Sequence, residues 1–171
     1  LAIESALTHH PELLLVLRGI DLASTELAVP TWAALPAMLH VRKASRRVAA
    51  QLARRRPGWR VPPLHATCHA GEDYQRLVEG LRRVHEPIEF GLLGPGDRLG
   101  HAICLGHDPE RWFLASKEIP QPAEERLDDL LWELDRYRRA ELPMTVARLE
   151  YARAEALRLG RWLFDMSALT V

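Results

Sequence analysis

The sequence predicts an α/β fold in which short parallel strands alternate with helices, followed by a helical hairpin. Three observations lead there. Short apolar segments ending near Leu22, His69 and Leu105 are separated by stretches with helical spacing. Each carries polar residues at its end (Asp21 to Glu26, His69 to Glu72, and His101), as parallel α/β sheets and barrels do on their functional face. From about Pro120 the texture changes to two amphipathic helical stretches.

In chain order, Leu13 to Leu17 is a continuous apolar run closing on Gly19-Ile20-Asp21-Leu22. It is too short for a helix of its own and suits a strand buried on both faces. Pro36 then opens a helical stretch to about Arg56, with Leu39, Ala50 and Leu52 among its apolar positions, and Pro57-Gly58 stops it. Pro62-Pro63 introduces a second strand, Leu64 to His69. The next helix is expected over Glu72 to Val84, with Leu77, Val78 and Leu81 inward. Gly94-Pro95-Gly96 makes a turn before a third strand, Arg98 to Leu105.

Beyond it, Glu124 to Ala140 places Leu127, Leu130, Leu131, Leu134 and Tyr137 on one helical face. Thr145 to Phe164 does the same with Leu149, Ala152, Ala156, Leu159 and Leu163, and Pro143 separates the two. The expected division is therefore residues 1–115 for the strand-bearing part and 120–171 for a hairpin that packs on it or serves association.

Of the 171 residues 47% are apolar, enough to bury one sizeable core. Twenty-three basic residues balance twenty-three acidic ones, which argues against nucleic acid or a membrane surface as partner. The run Arg42, Lys43, Arg46, Arg47, Arg54, Arg55, Arg56 and Arg60 reads as a solvated helix face rather than a phosphate-contacting patch. Cys68 and Cys104 sit in apolar runs and are expected as buried thiols. No apolar run reaches the roughly 18 residues of a spanning helix. A reducing, cytoplasmic compartment is expected. The opening residues from Leu1 run straight toward a strand, as though cut from a longer chain.

The richest stretch is HATCHAGE, His65 to Glu72. On a strand, His65, Thr67 and His69 share a face. Ala70 and Gly71 let the chain turn sharply and deliver Glu72 next to His69 at the strand's mouth. A neutral imidazole is a good zinc ligand, and a carboxyl beside a metal can shuttle protons. DRLGHA puts His101 at the next strand's end after Gly100, and GIDLASTE places Asp21, Ser24 and Glu26 after the first. His65 is expected to pack deeper than His69. His9 and His10 read as loop residues. His40, His85 and His107 read as surface or satisfied core residues. The pair Asp128-Asp129 reads as solvated helix surface.

GIDLASTE, HATCHAGE and DRLGHA stand in the order and relative placement of three signature segments of adenosine deaminases, in the metal-dependent amidohydrolase superfamily, and the chain resembles that family over about residues 13 to 107. The resemblance implies a (β/α)8 barrel, of which about three strands are present, and a Zn2+ cofactor. It implies that His69 is a zinc ligand, that Glu72 protonates purine N1, and that His101 orients the attacking hydroxide and helps take its proton. The region of Ser24 would meet the purine edge, where the family usually has Gly; Asp21 and Gly71 complete the candidate substrate-binding set. The implied reaction is hydrolytic deamination at C6 of adenosine or an adenine nucleotide, releasing ammonia and an inosine-type product.

Two features depart from the family. It also uses a His-x-His pair and a late aspartate for the metal, and this sequence has no His-x-His. A full barrel takes about 250 residues, so one imidazole and three strands imply a part of an enzyme, inactive alone. The helical tail is the second departure. It resembles long bacterial members such as the deaminase subunit of the RADAR anti-phage system, for which a homo-oligomer is implied. Two other readings stay open: an amidohydrolase acting on another base, and a non-catalytic barrel remnant that acts as a scaffold.

Overall fold

A computed structural model describes residues 2–23, 25–116 and 119–164. They form six helices and a parallel three-stranded sheet: α1 (Ala2–His9), β1 (Gly19–Leu22), α2 (Thr31–Arg55), β2 (His65–Ala70), α3 (Leu77–Glu89), β3 (Arg98–His101), α4 (Pro109–Ala115), α5 (Ala123–Arg138) and α6 (Val146–Phe164). The chain divides into two compact units, one of residues 1–74 and 83–107, the other of residues 75–82 and 108–171. Helix α3 contributes to both.

In the first unit the strands lie in the order β1-β2-β3. Gly19 pairs with His65, Asp21 with Thr67, and Ala70 with His101, so all three strands end at the same edge of the sheet. β2 alternates as its sequence asks: Ala66, Cys68 and Ala70 are buried, whereas His65, Thr67 and His69 share the more open face. Leu7, Leu14, Val41, Val48, Ala49, Leu52 and Leu64 form the core under the sheet. Both cysteines are buried free thiols, as expected, and burial pushes the Cys68 thiol up to about 12.

Several boundaries move. The first strand starts at Gly19, not Leu13: Pro11 opens a 3-10 turn, Pro11–Leu15, that takes up the apolar run, buries Leu14, and leaves Leu15, Val16 and Leu17 exposed. α2 begins at Thr31 and carries Pro36 inside it, because Pro30 already supplies the extended residue before the first turn. Its core positions are Leu35, Val41, Ala44, Val48 and Leu52, with Leu39 only half-buried and Ala50 exposed. β3 stops at His101 instead of Leu105. His101 and Ala102 have φ of +59° and +47°, and two successive left-handed residues cannot continue a ladder. His9 ends α1 rather than lying in a loop, with its ring bonded to the Ser5 carbonyl.

Most of the basic run on α2 is solvated, with Lys43, Arg46, Arg47, Arg54, Arg55 and Arg56 exposed. Arg42 is the exception. It is buried, bonds the Leu92 carbonyl and pairs with Asp97 at 2.9 Å.

The second unit contains the expected hairpin. Leu127 and Leu130 of α5 meet Ala152, Ala156 and Leu159 of α6. Leu131 and Tyr137, assigned to the same face by spacing, are exposed. Asp129 corrects a larger misreading: it is fully buried, bonded to Arg82 Nε at 2.9 Å and to Gln121 Nε2 at 2.7 Å. Arg82 also pairs with Glu125, which explains how a carboxylate at an apparently exposed helical position can be taken inside. Among the described residues no helix is long and apolar enough to cross a membrane.

Candidate active site at the strand ends

The three strand ends bring Asp21, His69, Gly71, Glu72 and His101 together within the first unit. Register sets Asp21 and His69 on the same open face of adjacent strands, and Asp21 Oδ2 lies 3.6 Å from His69 Nε2. His101 pairs with Ala70, so alternation alone would turn its side chain to the buried face. Its left-handed backbone breaks that alternation. The imidazole then sits edge-on to His69, with ring centres 4.9 Å apart and planes at 75°, and its Nε2 is 3.1 Å from Glu72 Oε2. Left-handed residues other than glycine are uncommon and gather at functional sites.

Gly100 makes this approach possible. A Cβ there would stand 2.7 Å from His69 Cδ2, so the ring occupies the space a side chain would need. Gly71 has φ +73°, which supplies the sharp turn between His69 and Glu72 that the small residues suggest. The turn is fastened from outside. The carboxylate of Glu26 accepts the Gly71 N–H at 2.8 Å and the Glu72 N–H at 3.1 Å, and Glu26 is buried. Its own main-chain carbonyl accepts from the fully buried guanidinium of Arg83. The sequence shows Glu26 as one more polar residue after a strand and offers no signal for Arg83.

His65 does not pack deeper than His69. It lies at the opposite end of β2, half exposed, with Nδ1 3.5 Å from Asp97. Asp97 is a structural carboxylate that binds the N–H groups of Ala66 and Gly94, each at 2.8 Å. Burial alone would raise its pKa, but those two N–H groups and the Arg42 guanidinium outweigh it and hold Asp97 below the usual carboxylate range. Ser24 lies outside the described residues.

The assembled groups can hold and move protons: two imidazoles in edge contact, each with a carboxylate beside it, at an open sheet edge. They do not by themselves make a zinc centre. A catalytic zinc takes three protein donors, and among the described residues no group of three or more His, Cys, Asp or Glu could hold a metal ion. Asp21 pairs with His69 and Glu72 with His101, rather than all four converging on one point.

No family model matches the chain, and no curated protein matches it either.

Proposed function

We propose that the chain carries part of the active site of an adenosine deaminase-like hydrolase that removes the 6-amino group of adenosine or an adenine nucleotide. The observation that supports this best is the pairing of Glu72 with His101 at 3.1 Å, on neighbouring strand ends and beside His69. Hydrolytic deamination needs a proton delivered to the ring nitrogen as water adds to C6, and a second group to take the proton that water loses. Glu72 is the donor to N1 and His101 the acceptor. His101 passes its proton to the departing amino group, ammonia leaves, and the C6 hydroxyl returns a proton to Glu72 as C6 keeps the oxygen as a carbonyl. Asp21 and the Gly71 turn border the place where the base sits.

In this reading β1, β2 and β3 are consecutive strands of a (β/α)8 barrel. His69 would be one donor to a zinc ion, which would supply Lewis acidity there, and the other donors would come from residues outside this sequence. The α5–α6 pair fits the long bacterial branch of the family, so ATP belongs beside adenosine among the substrates to test. The test is product identification with the whole protein, zinc-loaded, over a panel of purine nucleosides and nucleotides. An inosine-type product with an equal amount of ammonia supports the reading, and turnover of a different base alone refutes it.

A second reading rests on the absence of a three-donor group among the described residues and on the exposed Leu131, Tyr137, Tyr151 and Trp162 of α5 and α6. In it the chain is a binding or assembly scaffold. Sedimentation with and without residues 120–171 separates the two readings of the hairpin: an unchanged association state removes the scaffold's support.

A further inference from the structure

We infer that Glu26 is the positioning residue of the Glu72–His101 pair, acting as a buried carboxylate clamp on the turn that carries Glu72. The inference rests on that pair being the reactive one. Two consecutive N–H groups, those of Gly71 and Glu72, point at a single carboxylate at 2.8 and 3.1 Å. Successive backbone N–H groups facing one way form a concave anion seat, and the left-handed Gly71 creates it here. Usually such a seat takes a ligand. In this chain it is filled from within, by a side chain only 6% exposed.

The clamp has its own anchor, because Arg83 of α3, fully buried, donates to the Glu26 carbonyl. Position therefore passes from α3 to the loop after β1 and from there to the turn after β2. The Glu72 side chain is 43% exposed, so solvent leaves its direction to the backbone beneath it. On the other side of the pair, the Ala102 N–H bonds the Ala70 carbonyl and the Cys104 N–H bonds the Gly71 carbonyl, at 3.0 and 3.1 Å. The segment after His101 is thus tied to the same turn. Holding this turn holds both members of the pair.

The experiment is amide hydrogen exchange by NMR on the 171-residue chain, with Glu26→Gln beside it. In the unaltered chain the Gly71 and Glu72 amides are protected although both lie beyond the end of β2. Glutamine keeps one acceptor but sets its own N–H2 against the second donor. At least one of the two amides then exchanges about 10- to 100-fold faster, the worth of a hydrogen bond to a charged group. The cross-peak between the Glu72 side chain and the His101 ring is lost, while Ala66 and Cys68 keep their rates.

Unprotected Gly71 and Glu72 amides in the unaltered chain, with Ala66 and Cys68 protected, overturn the inference, and that observation needs no variant to fold. So does a persisting Glu72–His101 cross-peak in Glu26→Gln, or equal acceleration of Ala66 and Cys68, which would make Glu26 a general support of the fold. These readouts involve no substrate. A protein that makes no inosine-type product yet shows the selective exchange refutes the deaminase reading and leaves the clamp standing.

Discussion

Replacing Gly100 by alanine tests the geometry of the site through one methyl group. The added Cβ would meet His69 Cδ2 at 2.7 Å and its Cγ and Nε2 at 3.1 Å. Ordinary carbon contacts lie near 3.5–4.0 Å, so the ring must retreat by about 1 Å. Forcing extra volume into packed surroundings costs about 1–3 kcal/mol. The His69 side chain is 33% exposed and can yield toward solvent, which places the expected cost at about 1–2 kcal/mol. The retreat also parts its ring from that of His101. Urea unfolding, followed on sheet amides so that only the strand-bearing unit is read, gives the energy. With a slope of about 2 kcal/mol per molar, the midpoint falls by about 0.5–1 M. Imidazole proton spectra give the position of the rings. A midpoint within 0.2 M of the unaltered chain (about 0.4 kcal/mol), with both ring spectra unmoved, refutes the close approach.

Two further outcomes follow from the carboxylates. Asp129→Ala removes one fully buried partner of Arg82, whose guanidinium keeps Glu125; the second unit loses about 1–3 kcal/mol, read as the unfolding midpoint of α5 and α6 amides, and a loss under about 0.5 kcal/mol contradicts the buried pairing. Asp97, held below its ordinary value of 3.8, stabilises the first unit above that pH and ceases to as the pH falls through its lower folded value. Asp97→Asn therefore lowers stability at neutral pH and flattens its decline below about pH 4, and an unchanged acid limb in a denaturation series at several pH values counts against this role.

The sequence shows most of the elements and misplaces their ends. β2 is legible because Ala66, Cys68 and Ala70 alternate with His65, Thr67 and His69, and period two has one structural meaning. Leu13 to Leu17 is not, since a short apolar run looks the same in a strand and in a 3-10 turn. Here the fixed φ of Pro11 decides. β3 ends early through the backbone of His101, a conformation that a histidine does not announce as a glycine would. In the site, HATCHAGE and DRLGHA foretell that His69, Glu72 and His101 meet, because parallel strands deliver their ends to one edge. The clamp by Glu26 and its anchor Arg83 are long-range. Each depends on a side chain meeting a main-chain group far along the chain, 45 and 57 positions apart, which no local pattern records. Asp129 misleads for the same reason: its partner Arg82 lies on a different helix.

We propose that Glu72 and His101 perform proton transfer in deamination of an adenine compound. The most direct measurement follows adenosine, deoxyadenosine and ATP by the ultraviolet change at C6, using the whole zinc-loaded protein beside Glu72→Gln. At least one of these compounds is turned over, and the rate falls about 10²- to 10⁴-fold in Glu72→Gln at unchanged zinc content. Turnover of none of them by zinc-loaded protein, or equal rates in the variant, contradicts the proposal.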